Sequence, residues 1–326
     1  MTDLIYHEEI PSFLLSYLAS AEMQRLKEVG MHCGCEYTSF PFFKDLLPYS
    51  RYQHSLGVSL ITWHFTREKD AALAALFHDI ATPVFAHTVD FLKGDHLKQE
   101  ATEEGTEEII RSSKEITEQL EKDGLRIEDV KDYHRYPIAD NDSPRLSADR
   151  LEYSLGNFVN FGLTDTAEVK ALYEDLFVDL SPEGAPELSF QTKEKAKRFA
   201  FLSLSCSRVY VSDPDRYSMQ RLAEVLKLAL EEKVLTMKDL YRTEPEVISL
   251  LEGNEKTAAA WRAYRSLHRM TEGEEQDPLY ARIIPAKKRF IDPLCKGERV
   301  SEWDEGYRRE LQGFLASSQE KTLCAL

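Results

Sequence analysis

Two histidines and two aspartates in three separate segments have the residue types that bind a divalent metal ion: His54, the adjacent pair His78 and Asp79, and Asp149. A helical protein holds such an ion with imidazole nitrogens and carboxylate oxygens from different helices, and leaves one position open for water or substrate. The residue types therefore indicate metal-assisted chemistry. A histidine in an apolar run is also an ordinary hydrogen-bonded core residue, so both interpretations stay open on residue types alone.

The His-Asp pair lies where a helix is predicted to end. Residues 70–78 are apolar on nearly every side, which predicts a buried helix. Pro83 forces a break soon after it. Neighbouring residues on a helix diverge by about 100°, so His78 and Asp79 reach one ion most easily at such an end. A buried carboxylate also needs a partner, which favours a functional role for Asp79.

Helical spacing surrounds the other two segments as well. His54 lies near the start of an apolar helix predicted over residues 51–65, and Asp149 opens a helix for which Ser147 is the predicted N-cap. Further helices are predicted over residues 10–29, 84–92, 95–113, 193–205, 218–233, 237–252 and 255–270.

Taken in order, Arg51-Tyr-Gln-His54-Ser-Leu-Gly-Val, Leu76-Phe-His78-Asp79-Ile and Ala148-Asp149-Arg150-Leu-Glu-Tyr153 form a three-part pattern. The pattern resembles the HD superfamily of metal-dependent phosphohydrolases, most of all the deoxynucleoside triphosphate triphosphohydrolases. The resemblance implies an all-α HD-domain helical bundle in which His54, His78, Asp79 and Asp149 ligate a divalent metal ion (Mn, Fe, Mg, Co, Ni or Zn). The implied reaction is hydrolysis, with the ion lowering the pKa of a bound water and polarising a phosphoryl oxygen.

Three residues are expected to bind substrate. Arg51 lies three residues before His54 and shares its helix face, where a guanidinium can clamp a phosphate; a surface ion pair is the alternative. Tyr153 and Asn157 follow Asp149 by four and eight residues on one face. In the resembling enzymes a Tyr at this offset touches the substrate sugar, and simple packing is the alternative.

His87 and His96 match two further histidines of the family, and with Asp79 they make up the predicted catalytic residues. Either histidine is expected to contact phosphate, to donate a proton to the leaving group or to bind a second ion. Phosphate contact and proton transfer beside a single metal ion is the favoured interpretation.

The chain departs from the family pattern directly after the His-Asp pair. The triphosphohydrolases usually carry His-Asp-x-Gly-His, whereas this chain has Ile80-Ala81-Thr82 after Asp79. Thr82 does not act as an acid or base near neutral pH. The departure leaves the metal site intact and makes a phosphomonoesterase or phosphodiesterase as reasonable as a triphosphohydrolase.

Composition narrows the class of partner. With 41 basic and 57 acidic residues the net charge is −16, so no long nucleic acid is expected as a partner. A small phosphorylated substrate, most naturally a nucleotide, remains compatible, since a metal ion and a few basic residues can reverse the sign inside a pocket. The five cysteines have no regular spacing, and neither a secretion signal nor a membrane span is expected. A cytoplasmic protein is predicted.

Two domains are predicted, an HD-type helical catalytic domain at residues 1–235 and a helical and hairpin extension packed on it at residues 236–326. Alternation in residues 281–285 and 288–291 predicts a small β-hairpin near the C-terminus. The intervening Lys287-Lys288-Arg289, the densest basic cluster, reads best as a charged, solvated hairpin edge. Reaching over the active site to a phosphate is its alternative.

Two other functions stay open beside hydrolysis of a phosphate ester or anhydride bond in a nucleotide. One is a non-catalytic sensor module that binds metal and nucleotide, and the other is a two-metal cyclic-nucleotide phosphodiesterase. The resemblance also suggests a homo-oligomer.

Overall fold

The computed structural model describes residues 9–93, 105–272 and 282–326, and in these ranges the protein is mostly helical. In chain order the helices are α1 (Ser12–Leu18), α2 (Ala21–Arg25), α3 (Pro41–Lys44), α4 (Arg51–Thr66), α5 (Lys69–Phe77), α6 (Thr88–Lys93), α7 (Thr106–Ser112), α8 (Lys114–Lys122), α9 (Ile127–Val130), α10 (Ala148–Asn160), α11 (Thr166–Tyr173), α12 (Lys193–Tyr210), α13 (Asp213–Glu231), α14 (Glu244–Glu252), α15 (Glu255–Arg265), α16 (Val300–Trp303) and α17 (Glu305–Ala316).

Two small sheets accompany the helices. The strands are β1 (Leu176–Leu180), β2 (Pro186–Phe190), β3 (Met270–Glu272), β4 (Arg282–Ile283), β5 (Leu294–Cys295), β6 (Glu298–Arg299) and β7 (Thr322–Ala325). The first sheet has the order β1-β2-β5-β6, with β2 and β5 parallel and the other pairs antiparallel. The second has the order β3-β7-β4 and is antiparallel.

The all-α prediction is therefore confirmed only as a mostly helical fold, because strands are not confined to the C-terminus. The β1–β2 hairpin was not predicted, and Gly184 supplies its turn with a φ of 83°. Near the C-terminus a hairpin does form, but between β5 and β6. The predicted strand at residues 288–291 is wrong, and residues 282–283 pair with β7 instead.

Capping side chains divide two segments that were predicted as single helices. In residues 10–29 the Ser20 side chain accepts a hydrogen bond from the Met23 amide and starts α2. In residues 237–252 Thr243 and Glu246 form a capping box, so a short 3-10 turn precedes α14.

The C-terminal third of the chain contributes to two of the three hydrophobic cores. One core joins residues of α4, α10 and α12 to Ile291, Val300 and Tyr307. A second joins α13 to Leu323 and Ala325 of β7. The proposed boundary near residue 235 stays a prediction.

Three helices bring the metal-ligand candidates together. Helix α5 is buried along its length from Ala71 to Phe77 and packs against α4, and α10 also packs against α4. The start of α4, the end of α5 and the start of α10 consequently meet in one region. Within residues 9–93, 105–272 and 282–326, no helix has the length and apolar character needed to span a bilayer.

Candidate metal centre and active site

Capping fixes the start of α4, where the first ligand candidate lies. The Ser50 hydroxyl accepts from the Gln53 amide at 3.3 Å, and the Gln53 side chain accepts from the Ser50 amide at 3.0 Å. His54 follows in the next turn and is 1% exposed. Its imidazole therefore points into the protein from a fixed backbone.

The His-Asp pair occupies a tight turn at the end of α5, as the sequence predicted. The amides of Ile80 and Thr82 donate to the carbonyls of Phe77 and Asp79 at 3.0 and 2.9 Å. His78 still has a helical backbone conformation, with φ of −55° and ψ of −37°, and the turn follows it. Both side chains then face the same region.

Asp149 enters from the first turn of α10. Ser147 caps this helix by accepting from the Arg150 amide at 3.3 Å, which confirms its prediction as the N-cap. The Asp149 amide donates to the Ala139 carbonyl at 3.2 Å and ties the helix start to the preceding loop. A carboxylate at a helix N-terminus is stabilised by the helix dipole.

Four candidate ligand atoms converge. His54 Nε2 lies 3.2 Å from His78 Nε2 and 3.0 Å from Asp149 Oδ1. Asp79 Oδ2 lies 3.5 Å from His78 Nε2 and 3.8 Å from His54 Nε2. Among the residues the structure describes, His54, His78 and Asp149 form a group that could hold a metal ion, with their ligand atoms within 4.8 Å of one another.

The outer nitrogens of both imidazoles are already occupied. His54 Nδ1 faces the Glu152 carboxylate in a short contact, and His78 Nδ1 lies 2.7 Å from the Ala75 carbonyl. Each Nδ1 therefore carries a proton, and each Nε2 faces the centre, where a neutral imidazole presents a lone pair to an ion. Two lone pairs and two carboxylates that face each other require a positive charge between them, so the donor set fits a divalent cation.

The charge of the site is set by its own groups. Burial alone lowers the pKa of His54, but the carboxylates of Glu152 and Asp149 outweigh burial and raise that pKa to about 10. Burial also raises the pKa of Asp149, and the hydrogen bond from His54 overcomes it and brings the value to about 2. Without an ion, the positive charge that the carboxylates favour at the centre is a proton on His54 Nε2, and a divalent cation would displace that proton.

Glu152 and Tyr49 support the centre, and the sequence analysis did not single out either. The Tyr49 hydroxyl donates to the Glu152 carboxylate in a short contact, while the same oxygen faces His54. Glu152 lies one helical turn after Asp149, which is the signal that could have identified it. Outer partners of this kind fix the tautomer and orientation of a ligating imidazole.

Gly57 leaves the room that Glu152 needs. A Cβ at this position would lie 2.6, 2.7 and 2.9 Å from three atoms of the Glu152 side chain. Gly57→Ala is therefore expected to displace Glu152 and to weaken metal affinity about 10- to 100-fold, measured by metal titration. Gly313→Ala in α17, where an added Cβ meets nothing within 4 Å, is the control and should leave metal affinity unchanged. Equal metal affinities in both variants would contradict a role for Glu152 in supporting the metal site.

Thr82, the residue that departs from the family pattern, supports the candidate site through a contact with Asp79. Its hydroxyl donates to Asp79 Oδ1 at 2.7 Å, and Thr82 is fully buried. Arg25 donates to the Thr82 and Ile80 carbonyls at 2.7 and 3.1 Å and holds the turn. Thr82 thus orients Asp79.

The candidate ligands line a cavity of about 930 Å³. All the described substrate and catalytic candidates line it as well: Arg51, Asp79, His87, Tyr153 and Asn157. His96 lies outside the described residues. A cavity of this size accommodates a small organic phosphate.

Arg51 forms a buried ion pair with Asp79. Its Nη1 lies 2.8 Å from Asp79 Oδ2, and both side chains are buried. The pKa of Asp79 is held well below its usual range, because Arg51 and the two imidazoles outweigh the opposing effect of burial. The alternative of a surface ion pair is wrong, since this pair lies inside the protein beside the metal centre.

His87 follows a turn in which Phe85 and Ala86 adopt left-handed conformations, with φ of 59° and 43°. Such backbone is costly for residues other than glycine and is typical of functional turns. His87 Nδ1 lies 3.0 Å from the Asp90 carboxylate, which leaves Nε2 for a ligand. Burial, with a smaller contribution from Arg289 and Arg51, lowers the pKa of His87.

Tyr153 and Asn157 form a polar and aromatic wall with Tyr210. Burial raises the pKa of Tyr153 to about 12, so its phenol stays neutral. Asn157 donates from Nδ2 to the Tyr210 hydroxyl at 2.8 Å. Its Oδ1 is buried without a hydrogen-bond partner among the described residues. Asn157 is thus held in the wall through its amide nitrogen.

The cavity has the opposite charge balance from the chain. Its acidic residues are Asp79, Asp140, Asp142, Asp149 and Asp215, and its basic residues are Arg51, Arg145, Arg150, Lys287, Lys288 and Arg289. Counted at formal charges with neutral histidines, the six basic and five acidic side chains give one net positive charge in a chain of −16, and the raised pKa of Asp215 adds to this excess. The expectation of a hairpin edge is wrong for residues 287–289, because they form no strand; the segment lies along the cavity wall, and Lys287 is exposed.

Asp215 in the cavity wall makes stability depend on pH. Burial raises its pKa to about 8, while in an unfolded chain the value is about 3.9. The folded protein thus holds a proton between these values that the unfolded chain releases, and this stability is lost as pH rises through the folded pKa. Asp215→Asn is expected to reduce the fall in melting temperature between pH 5 and 9 by a few degrees. The exposed Asp45→Asn should follow the wild type; an identical fall in all three proteins would contradict the assignment.

Comparison with known proteins agrees with this geometry. Residues 51–153 match the HD domain family, and this span runs from Arg51 to Tyr153. The uncharacterized protein YdhJ of Bacillus subtilis is 28% identical over 90% of this chain and 87% of its own. A metal-dependent phosphohydrolase of Cordyceps militaris, cns2, is 26% identical over 89% of this chain and 83% of its own.

Solved structures share the whole fold. A hypothetical protein from Aquifex aeolicus has a TM-score of 0.65 at 20% identity, covering 100% of this chain and 95% of its own. A phosphohydrolase from Bacteroides thetaiotaomicron has a TM-score of 0.65 at 14% identity, covering 100% and 99%. The match of residues 51–153 to the HD domain family and the similarity to a metal-dependent phosphohydrolase support the prediction of a metal-dependent phosphohydrolase enzyme.

Proposed function

We propose that this protein hydrolyses a phosphate ester or anhydride bond in a small nucleotide, with one divalent ion held by His54, His78, Asp79 and Asp149. The observation that carries the proposal is the convergence of two Nε2 atoms, 3.2 Å apart, with Asp149 Oδ1, which lies 3.0 Å from His54 Nε2. A divalent cation that displaces the proton between these groups would be bound by two imidazoles and by carboxylates. A single convergent group among the described residues favours one ion over the two of a cyclic-nucleotide phosphodiesterase.

A divalent ion held by His54, His78, Asp79 and Asp149 would supply an activated water and polarise the phosphoryl oxygen. Arg51, buried beside Asp79, keeps that carboxylate ionised and adds positive charge next to the scissile phosphoryl group. His87, held at Nδ1 by Asp90, gives a proton from Nε2 to the leaving oxygen. Because its pKa is lowered, His87 is neutral before substrate binds. The negative charge of the bound substrate favours protonation of Nε2, and this proton then passes readily to the leaving oxygen.

A nucleotide suits the rest of the cavity. Tyr153 and Tyr210 line the cavity with hydroxyl groups that can hydrogen-bond to a sugar or a base, and Asn157 orients Tyr210. The ring of Phe161 provides an apolar surface in the same cavity. These groups lie beyond the metal centre, where the organic part of a phosphate ester would extend.

The triphosphohydrolase branch is the less favoured finer assignment. In that branch the residue at the position of Thr82 is a histidine close to the reacting phosphate. Here Thr82 is buried and donates to Asp79, so no acid or base reaches the phosphate from this position. Release of orthophosphate from a monoester, or cleavage of a diester, needs only His87 and the ion.

A panel of nucleoside mono-, di-, tri- and cyclic phosphates tests the proposal. The protein would be loaded with Mn²⁺, Mg²⁺, Fe²⁺ or Co²⁺, and orthophosphate, pyrophosphate and tripolyphosphate would be measured separately. We expect metal-dependent turnover of at least one nucleotide, and its loss in Asp149→Ala. Thermal stabilisation by nucleotides without any product would contradict the enzyme and favour the sensor module.

A further inference from the structure

A buried carboxylate far along the chain from the HD domain match lies behind the cavity. Glu244 is the first residue of α14 and is 3% exposed, whereas the family match covers residues 51–153. The described residues that line the cavity do not include Glu244. Glu244 can therefore influence the reaction only through the residues that it contacts.

Three donors from two other parts of the chain bind the Glu244 carboxylate. Its Oε1 accepts from the amides of Gly30 and Phe85, at 2.9 and 3.4 Å, and its Oε2 accepts from the Tyr37 hydroxyl at 2.7 Å. A buried carboxylate is stable only with such partners. The same hydrogen bonds join the segment around Gly30, the turn at Phe85 and the start of α14.

The segment around Gly30 is fixed to the helix that carries the first metal-ligand candidate. Gly30 forms an antiparallel β-bridge with Ser50, and the Arg51 amide donates to the Val29 carbonyl at 2.8 Å. Ser50 is the N-cap of α4. The hydrogen bond from the Gly30 amide therefore attaches Glu244 to the metal side of the site.

The turn at Phe85 leads directly to His87, the residue proposed as the general acid. Phe85 has a left-handed φ of 59°, a conformation that is costly unless neighbouring groups hold it. Two hydrogen bonds to the C-terminal half of the chain hold this turn: the Phe85 amide donates to Glu244, and the Val84 amide donates to the Leu240 carbonyl at 2.8 Å. Glu244 therefore connects the acid side of the site to the metal side.

A second carboxyl group, that of Glu36, also lies beside Gly30. A Cβ added to Gly30 would overlap Glu36 Oε1 and would lie 3.5 Å from Glu244 Oε1. Burial, with a smaller contribution from the charge of Glu244, raises the pKa of Glu36 to about 8. Burial raises the pKa of Glu244 too, but its three hydrogen bonds and Arg51 act in the opposite direction. Near neutral pH the pair thus carries one negative charge, on the carboxylate that has the three donors.

We propose that Glu244 is a positioning residue: it holds the turn before His87 at a fixed place relative to α4, and so directs His87 Nε2 at the leaving oxygen of a phosphate bound at the metal centre. This inference rests on the proposed function for the role of His87 as the acid. It gives residues 240–244, outside the HD domain match, a part in the reaction without contact to substrate. A displacement of about 1 Å at a reacting group costs up to about 100-fold in rate, which sets the size of the expected effect.

Single-turnover rates of protein loaded with Mn²⁺ test the positioning, with a nucleotide that the panel above identifies as substrate. Glu244→Ala should lower the rate about 10- to 100-fold at a wild-type metal content. Glu244→Gln should stay within about threefold of the wild type, because its amide oxygen accepts from Gly30 and Phe85 and its amide nitrogen can donate to Tyr37. On a His87→Ala background Glu244→Ala should change the rate by less than about twofold, since an acid that is absent cannot be misplaced.

Glu246→Ala is the matched control, because the exposed Glu246 accepts from the Thr243 hydroxyl at 2.7 Å and caps the same helix. It should lower the melting temperature and leave the rate unchanged. If Glu244→Ala does not fold, Tyr37→Phe takes its place, since it removes one of the three hydrogen bonds and should lower the rate about two- to tenfold. The proposal is overturned if the control loses as much rate as the test variant, if Tyr37→Phe in that role loses none, or if the loss persists undiminished without His87.

An NMR titration of His87 tests the same positioning without turnover. In protein with ¹⁵N-labelled histidines and bound Mg²⁺, the His87 signal is the one that His87→Ala lacks. Burial lowers the pKa of His87 in the wild type, so a loosened turn that admits water in Glu244→Ala should raise this pKa towards its usual value, whereas Glu246→Ala should not. An unchanged titration in Glu244→Ala would contradict the positioning. Absence of turnover with every nucleotide would count against the proposed function and leave this titration to decide the placement of His87.

Discussion

Asp79→Ala is expected to yield a folded protein that contains almost no metal and whose turnover is lower by about three orders of magnitude or more. Asp79 Oδ2 faces both imidazole Nε2 atoms, at 3.5 and 3.8 Å, and supplies one of the four proposed ligand atoms. Removal of the carboxylate also leaves Arg51 as an uncompensated buried charge beside the cation site, which repels the ion further. Elemental analysis after loading measures the metal content directly.

A loss of a buried ion pair also destabilises the fold, by about 3–5 kcal/mol, so a second variant is needed. Asp79→Asn keeps the shape and an acceptor for the Thr82 hydroxyl while it removes the ligand charge. Asp142→Ala is the matched control, because Asp142 lines the same cavity with a 95% exposed side chain. Both Asp79 variants should lack metal, and the control should retain it. Full occupancy in a folded Asp79 variant would leave His54, His78 and Asp149 as the protein ligands and contradict a role for Asp79.

The convergence of residues at the candidate metal centre was predictable because they combine metal-binding types with positions at helix ends, and the assignment of all four as ligands stays a prediction. A buried apolar helix that ends in His78-Asp79 has few ways to satisfy a carboxylate, and a partner was therefore required. Arg51 could be placed with His54 by helix spacing alone. The convergence of three distant segments was an expectation from resemblance, and the packing of α4 against α5 and α10 produces it.

Partners that depend on long-range packing were not predictable. Tyr49 reaches Glu152 across two segments, and Gly57 matters only because Glu152 occupies the space that its Cβ would fill. Residues 287–289 were interpreted as a hairpin edge from the local alternation of residue types. Hydrogen bonds from residues 284–290 to Ser143, Arg216 and Gln319 instead determine the course of this segment. Local pattern carries no information about such partners. The cytoplasmic location and the homo-oligomer stay predictions.

His87→Ala is expected to keep the full metal content of the wild type and to lower kcat by about 10²- to 10⁴-fold, the usual contribution of a general acid. The reason is geometric: His87 lines the cavity, and its Nδ1 is bound to Asp90, so that Nε2 is directed to a ligand. Asp90→Asn should give a smaller loss, because it weakens the orientation of the ring without removing the proton donor. Metal content and single-turnover rates would be measured on the same preparations. Wild-type turnover in His87→Ala would exclude His87 as the acid, and a metal content reduced by half would instead make His87 a ligand of a second ion.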